Sequence, residues 1–230
     1  MILTGGPAIS GRVPGLETAG TIKDLPRAKE SLFLNIPYDS SFTKLYLAYI
    51  AGVSSVGLVP RATLEIPGGE RRLDRILTLI RSCAYSLHDL SRVELNRRPP
   101  RTPRFNMPFE LGLFLGAHRF GGKKHSRKKS LIFDREGHRY QSFISDIAGQ
   151  DIHSHDSSLG SLIEQISTWL LDQAQDYGIP GGRAIAAEFN RFRIDLPAIA
   201  AAKRLQPEEL TFKDLTNIAA EWILAESGAG

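Results

Sequence analysis

Short apolar runs alternate along the chain with longer segments in which apolar residues recur every three or four positions. The short runs are typical of buried strands in parallel sheets, and the longer segments are typical of amphipathic helices. The pattern predicts strands over residues 31–36, 56–59, 83–87, 130–133 and 151–153, and helices over 42–55, 69–82, 109–117 and 159–176. Strands that alternate with helices imply right-handed crossovers. We therefore expect an α/β fold with an open, doubly wound, mainly parallel five-stranded sheet, flavodoxin-like in layout.

Three segments of different character follow from this pattern. Residues 1–30 contain many glycines and prolines and no apolar period, so we expect a flexible leader there. Residues 31–177 hold the alternating strands and helices and form the α/β domain. Residues 178–230 open with glycines and a proline, and helical spacing returns over 183–190 and 208–225. This last segment is predicted to be a helical C-terminal extension, either a small add-on or an arm that forms a dimer.

The composition narrows the class of protein. With 230 residues, of which 42% are hydrophobic and 23% charged, the chain can bury one sizeable core. No segment reaches the ~18 uncharged apolar residues that a membrane span needs, so we expect no membrane partner. The single cysteine, Cys83, excludes an internal disulfide and a cysteine metal cluster, and it favours a reducing cytoplasmic location.

Charge is distributed unevenly along the chain. Residues 1–134 hold 21 of the 29 Lys and Arg but 11 of the 25 Asp and Glu, whereas residues 135–230 hold 8 and 14. Phosphates and other anions should therefore be attracted to the first part of the chain. Alternatively, the opposite charges face one another within the fold or across a dimer. We expect the protein to be a homo-oligomer.

Three segments mark where a ligand would bind. Open parallel sheets bind ligands beyond the carboxyl ends of their strands. The segments are residues 35–39 after the first strand, residues 88–91 after the third strand, and residues 104–110 at a helix start. Glycine-rich phosphate loops with Walker or dinucleotide-binding spacing do not occur in the sequence.

Glu110 is the strongest candidate for chemistry within these segments. It lies between Phe109 and Leu111, in the expected first turn of a helix that is otherwise almost wholly apolar through Ala117. The positive helix end favours the charged form of a carboxylate there, whereas desolvation disfavours it. Such a group can act as a nucleophile or stabilise developing positive charge. The alternative is an acidic residue that only offsets the helix dipole.

The segment Asn106-Met107-Pro108-Phe109-Glu110-Leu111-Gly112, which precedes a basic loop and the strand at 130–133, resembles a known pattern. It looks like the Asn-x-x-(aromatic)-Glu-(aliphatic)-Gly segment of bacterial TIR-like nucleotide-binding domains, and a similar helix carries the catalytic Glu of nucleoside 2-deoxyribosyltransferases. Residues 80–91, with an apolar strand that ends in Asp89, resemble the preceding strand of those families. The likeness covers roughly residues 31–155, and its specific part is the Glu110 segment.

The resemblance implies a role for each residue that matches. In both families the carboxylate acts at an N-glycosidic bond, of NAD or of a nucleoside, which makes Glu110 the expected catalytic carboxylate. Asp89 is the expected acid/base or ribose-hydroxyl ligand. A rim that contacts base or ribose would be formed by Asn35, Pro37, Tyr38 and Asp39. The segment Pro37-Tyr38-Asp39 does not match the tyrosine motif of deoxyribosyltransferases.

The remaining binding residues are predicted from the loop that leads to Glu110. Arginines at 92, 97, 98, 101 and 104 can hold a pyrophosphate bidentately, which lysine does less well. Ser91, Arg92, Arg104 and Asn106 therefore complete the expected substrate-binding set. The alternative for these arginines is a solvated basic loop without a ligand.

The resulting hypothesis is cleavage of the N-glycosidic bond of a nucleotide, with NAD as the expected substrate and no separate cofactor. The resemblance also implies a role in bacterial defence or stress. Breaking the C1′–N bond builds positive charge on the ribose, much as in glycoside cleavage, and a fixed carboxylate stabilises that charge. The alternatives are a nucleotide-binding sensor without catalysis, or a nucleoside deoxyribosyltransferase.

Two other features are weaker candidates. The basic run over residues 118–129 has one aromatic residue, Phe120, and no nucleic-acid-reading motif, so a solvated loop is favoured over a nucleic-acid-associated module that uses loops 92–104 and 119–129. His153 and His155 lie on one strand face, but no third ligand accompanies them, and we expect no metal site.

Overall fold

The structure, a computed structural model, describes residues 20–38, 42–65, 71–93, 104–174 and 180–228. Asp39, which the sequence places at the rim of the site, lies outside the described residues. The arginines at 97, 98 and 101 lie outside them as well.

The strands form one five-stranded sheet. They are β1 (Ser31–Asn35), β2 (Val59–Arg61), β3 (Tyr85–Asp89), β4 (Lys129–Asp134) and β5 (Ile152–Ser154), in the spatial order β2-β1-β3-β4-β5. The β1–β3, β3–β4 and β4–β5 pairs are parallel. This is the strand order of flavodoxin-like folds. The α/β class, the parallel sheet and its five strands are therefore confirmed.

The second strand lies three residues later than predicted. Val56 and Leu58 are buried, as a strand would require, but Gly57 between them has φ +81 and forms a turn. The Gly57 amide donates to the Ser54 carbonyl, which closes the preceding helix. The strand therefore begins at Val59 and contains Pro60, which an edge strand tolerates because one side of its backbone has no strand partner.

The helices largely follow the predicted segments. They are α1 (Thr43–Ser55), α2 (Arg72–Ser82), α3 (Asn106–Phe120), α4 (Gln141–Ile144), α5 (Leu159–Ala174), α6 (Gly182–Ala202) and α7 (Phe212–Gly228). None of the described helices is both long and apolar enough to cross a membrane. The largest difference from the prediction is at α6, which is predicted over residues 183–190 and extends to Ala202. At the site, α3 begins three residues earlier than expected.

The chain divides into two compact units, and each is assembled from separate stretches. One unit comprises residues 30–46 and 60–162, and the other comprises residues 1–29, 47–59 and 163–230. These limits differ from the expected boundaries at residues 30 and 177, because segments far apart in sequence contribute to the same unit.

In the first of these units, α3 packs into two apolar clusters. Phe114 lies with Phe33 of β1 and with Ile76, Leu79, Ile80 and Cys83 from α2 and the residue after it. Met107 and Leu111 lie with Leu90, Val93, Ile132, Tyr140 and Ile147. Because successive turns of α3 are held in both clusters, the beginning of this helix is fixed against the carboxyl end of β1.

The other unit contains the C-terminal helices. Trp222 of α7 is buried, as the sequence requires; its ring centroid lies 5.6 Å from that of Phe192 and its indole Nε1 donates to Asp195 Oδ2 at 3.0 Å. Residues from the expected leader belong to the same unit. Thr21 caps a 3-10 turn at Ile22–Asp24, and Leu25 is buried. These residues are therefore folded, in contrast to the expectation for the leader.

Candidate functional site

A cavity of about 270 Å³ opens between the carboxyl end of β1 and the beginnings of α2 and α3. Its apolar wall is formed by Ile36, Pro37 and Met107, and Tyr38 and Asn106 add polar groups. Arg72, Arg92 and Arg104 also line it. Three guanidinium groups around one small cavity make it strongly positive among its described lining residues, so it favours an anionic ligand.

Glu110 is not among the described residues that line this cavity, and it lies one turn further into α3 than expected. The helix begins at Asn106, so Glu110 is its fifth residue rather than a first-turn residue. Pro108 does not delay the start of the helix, because the missing N–H of a proline would have no partner in a first turn. Since helix-end charges act mainly within the terminal turn, compensation of the helix dipole does not account for Glu110.

The Glu110 carboxylate is buried and has one charged neighbour among the described residues. Its side chain is 3% exposed, and Arg72 Nη2 lies 3.4 Å from Oε1. Burial raises the pKa of Glu110, and the positive charge of Arg72 counteracts part of that rise. Arg72 is 47% exposed and also lines the cavity. This pair therefore connects a desolvated carboxylate to an open, cationic space.

Tyr38 lies close to this pair. Burial, reinforced by the negative charge of Glu110, raises the pKa of the Tyr38 phenol, so the hydroxyl keeps its proton at neutral pH. That hydroxyl donates to the Leu34 carbonyl at 3.1 Å. The structure thus brings Tyr38 and Pro37 to the cavity, as the resemblance implies, and Tyr38 offers it a neutral aromatic wall.

The Asn35 side chain, by contrast, forms hydrogen bonds to buried groups of the protein itself. Its Nδ2 group donates to His88 Nδ1 at 2.8 Å and to the Met107 carbonyl at 3.0 Å. His88 Nε2 in turn donates to Ser86 Oγ at 2.9 Å, and burial lowers the pKa of His88 to about 3. His88 is therefore neutral. Asn35 joins the end of β1 to the first turn of α3, and this brace positions the helix that carries Glu110.

Asp89 is also taken up by internal contacts. It is fully buried; its Oδ1 accepts from the backbone N–H and the hydroxyl of Ser91, and its Oδ2 accepts from His155 Nε2 at 3.2 Å. Ser157 N–H donates to His155 Nδ1 at 2.9 Å, which fixes the His155 tautomer. Neither Asp89 nor Ser91 is among the described residues that line the cavity. The turn they form places Arg92 at the cavity instead.

A second buried carboxylate lies next to Asp89. Asp134, at the end of β4, accepts from Arg139 Nε at 2.8 Å and from the Arg135 amide at 2.7 Å. Arg139 also donates to the Leu90 carbonyl at 2.8 Å. Burial raises the pKa of Asp134, and the charge of Asp89 adds a smaller rise. This network links the carboxyl end of β4 to the residue that follows β3.

The two candidate metal ligands have different partners. His153 bonds to Asp151 at 2.7 Å, whereas His155 bonds to Asp89. Within the described part of the chain, no group of three or more His, Cys, Asp or Glu side chains is arranged to hold a metal ion.

Arg72 is the site residue that sequence reasoning did not single out. It begins α2, 38 residues before Glu110, and the sequence signal was only a set of arginines on the outer face of that helix. Arg104 and Asn106, which were predicted, line the same cavity as Arg72.

Comparisons with protein-family models, with curated proteins and with solved structures gave no match. The geometry of the cavity and the resemblance of the Glu110 segment are therefore what indicate a function.

Proposed function

We propose that the cavity binds a nucleotide and that Glu110 promotes cleavage of its N-glycosidic bond, with NAD as the substrate. The observation that supports this most strongly is the Glu110–Arg72 pair, in which a buried carboxylate is paired with one of the three arginines that line the cavity. The resemblance of residues 106–112 to TIR-like domains points to the same reaction. By the same resemblance, we propose that this turnover serves bacterial defence.

The lining supports a phosphate-bearing ligand. Arg72, Arg92 and Arg104 present planar forks that match phosphate oxygens two at a time. The cavity volume of about 270 Å³ lies just below the range of ~300–1,000 Å³ found for ligand pockets. It suits one nucleoside half of a dinucleotide, with the pyrophosphate held by the arginines.

The chemistry requires Glu110 in its charged form. As the C1′–N bond breaks, its electron pair stays on the departing nicotinamide nitrogen, and positive charge develops on the ribose ring. The Glu110 carboxylate, which is itself desolvated, stabilises that charge, because electrostatic effects are strong away from bulk water. Water then adds to C1′ and releases a proton, giving ADP-ribose and nicotinamide.

The position of Asp89 favours NAD over a neutral nucleoside. A purine nucleoside needs a general acid to protonate its departing base, whereas nicotinamide leaves NAD as a neutral molecule without one. Asp89 was the predicted acid, and it is buried in contacts with Ser91 and His155. A reaction that needs no acid therefore fits the described residues better than deoxyribosyl transfer.

The test is release of nicotinamide from NAD by the purified protein and by the variant Glu110→Gln. Removal of one preorganised charge-stabilising group typically costs ~100–1,000-fold in rate, and we expect a loss of that size. The matched control is Glu65→Gln, because Glu65 is also partly buried and paired with an arginine, Arg61, at 2.6 Å. NAD binding without turnover by the wild type would support the sensor alternative instead.

A further inference from the structure

The loop between α3 and β4 presents a compact group of cations around one exposed aromatic ring. The Phe120 surface, as we name it, consists of Arg119, Phe120, Lys123, Lys124, Arg127 and Lys129, all exposed. Phe120 is 86% exposed, the most exposed of the large hydrophobic side chains in the described residues. A single exposed ring is common on protein surfaces, but here it lies in the same short segment as five exposed cations, and this combination of a ring and positive charge suits an anionic partner with aromatic groups.

The loop that carries this surface is held in place by its own hydrogen bonds. The Gly121 amide donates to the Ala117 carbonyl at 2.8 Å and ends α3, and the amides of His125 and Ser126 donate to the Gly122 carbonyl. Gly122 has φ +71, which glycine adopts without strain. A Cβ on Gly121 would lie 2.6 Å from the His125 ring, so this ring packs directly on the glycine backbone.

Lys128 is buried, unlike the exposed cations beside it in the loop. Its Nζ donates to the carbonyls of Ile80 and Cys83, and it lies 5.0 Å from the centre of the Phe114 ring. This buried lysine therefore anchors the loop to the end of α2. The neighbouring Arg127 and Lys129 remain exposed, so the same short stretch fixes one cation inside and presents the others to solvent.

The exposed cations are not neutralised by the described part of the fold. None of the ion pairs between described residues includes a cation of the Phe120 surface. Arg119 lies in the last turn of α3, where it offsets the helix dipole, but the cations at 123–129 lie beyond the helix. A concentration of like charge destabilises a fold unless a polyanion binds it.

We propose that the Phe120 surface binds single-stranded nucleic acid, with the Phe120 ring stacked on one base and the surrounding cations on successive phosphates. Single-strand binding combines these same two features, an aromatic platform and positive charge along the backbone. Arg119 and Arg127 add planar groups that also stack on bases. The proposal is independent of the NAD reaction.

Two rival partners fit the surface less well. A bilayer surface is bound through a substantial buried apolar area together with charge, and this loop offers one ring among glycines and polar residues. A duplex keeps its bases stacked in pairs, so it has no free base for Phe120. A single strand needs one accessible aromatic and several cations, which is what the loop provides.

The surface also lies away from the proposed catalytic cavity within the same unit. Lys129 begins β4 and Arg119 ends α3, so both lie at the amino end of the parallel sheet. The cavity lies at the carboxyl end of β1. Variants of one site should therefore leave the other intact, and each proposal can fail without the other.

The test is fluorescence anisotropy of the full chain with labelled 15-nucleotide oligo(dT) and oligo(U) between 50 and 200 mM salt. With four to five phosphates contacted, the logarithm of the binding constant should fall with the logarithm of salt with a slope of about −3, from ~0.7 per phosphate. Lys123→Gln/Lys124→Gln should make this slope shallower by ~1.4. Phe120→Ala should weaken binding by roughly 10-fold without changing the slope, because stacking releases no counterions.

The controls separate the proposal from general charge effects. Lys203→Gln/Lys213→Gln removes two lysines from the other unit and should leave oligonucleotide binding unchanged. Glu110→Gln should also bind normally, whether or not NAD is cleaved. The proposal is overturned by oligonucleotide binding that is insensitive to Phe120→Ala, by no binding at 50 mM salt, or by binding only to vesicles that contain phosphatidylserine.

Discussion

Two groups of buried carboxylates lie at the carboxyl edge of the same sheet, and they differ in how their charges are satisfied. Asp89 accepts from Ser91 and His155, and its neighbour Asp134 accepts from Arg139 and a backbone amide, all within the fold. Among the described residues Glu110 has a single charged partner at 3.4 Å, and that partner is half exposed at a cavity. Asp89 is bonded at both oxygens and stabilises structure, and Asp134 is held by Arg139 although its Oδ2 has no hydrogen-bond partner among the described residues. Glu110 differs from both because its partner reaches an open cavity, which suits a carboxylate that acts on a ligand.

The largest contrast should be in stability. Asp89→Ala leaves Ser91 and the buried His155 without their acceptor, and leaving a buried donor unsatisfied typically costs ~1–3 kcal/mol. We expect the free energy of unfolding, measured in urea, to fall by that amount. A loss below ~1 kcal/mol would mean that the hydrogen bonds of Asp89 to Ser91 and His155 contribute little to stability.

Glu110→Gln should have the opposite effect on stability at neutral pH. Because the folded-state pKa of Glu110 is raised, the native protein keeps this proton to higher pH than the unfolded chain does, and stability falls as pH rises between the two pKa values. The variant removes the cost of the buried charge. Its melting temperature should therefore exceed that of the wild type at pH 7, and the two should converge below pH ~4, the ordinary range for glutamate.

Replacing cavity arginines should weaken substrate binding more than turnover. In Arg92→Lys/Arg104→Lys the charge remains but the bidentate geometry is lost. We expect KM for NAD to rise roughly 10-fold or more, since hydrogen bonds to charged groups are each worth ~1.5–3 kcal/mol, with a smaller change in kcat. A proportional loss in kcat with unchanged KM would contradict a binding role for these two side chains.

The pH dependence of the reaction should show the effect of Arg72 on Glu110. Activity requires the ionised carboxylate, so it should rise with pH through the Glu110 pKa, which burial holds above its usual range. Arg72→Gln removes the charge that lowers this pKa, so the acid limb of the pH–rate profile should move to higher pH. An acid limb that stays in place, or that moves to lower pH, would show that the charge of Arg72 does not lower the pKa of Glu110.

Tyr38→Phe should produce the smallest effect. The Tyr38 hydroxyl donates to the Leu34 carbonyl, and such a hydrogen bond contributes about 0.5–1.5 kcal/mol. We expect a slight loss of stability and less than ~5-fold change in nicotinamide release. A loss as large as that of Glu110→Gln would identify Tyr38 as a participant in the reaction.

Local sequence patterns predict the elements of this fold and part of its site. The strands ending in Asn35 and Asp89 and the apolar helix around Glu110 follow from hydrophobic period, and the carboxyl-end rule then selects Tyr38, Arg104 and Asn106. The errors in the predicted element boundaries are local as well. The turn at Gly57 makes β2 begin later than predicted, and α3 begins earlier than predicted because Pro108 fits within its first turn.

The partners of the buried carboxylates could not be predicted in the same way. His155 lies 66 residues from Asp89, and Arg72 lies 38 residues from Glu110. Such pairings depend on how crossovers place distant segments side by side, and periodicity within a segment carries no information about them. For this reason the sequence predicts Asp89 and Glu110 in one site, whereas of the two only Glu110 is linked to the cavity, through Arg72.

The most direct test of the account separates NAD binding from NAD cleavage in Glu110→Gln. Calorimetric titration should show that the variant binds NAD within ~3-fold of the wild-type affinity, because the arginines are unchanged, while nicotinamide release in a single-turnover experiment falls by ~100-fold or more. Unchanged release by the variant would contradict a catalytic role for Glu110, and a loss of binding with an unchanged rate from the bound state would assign Glu110 to recognition instead.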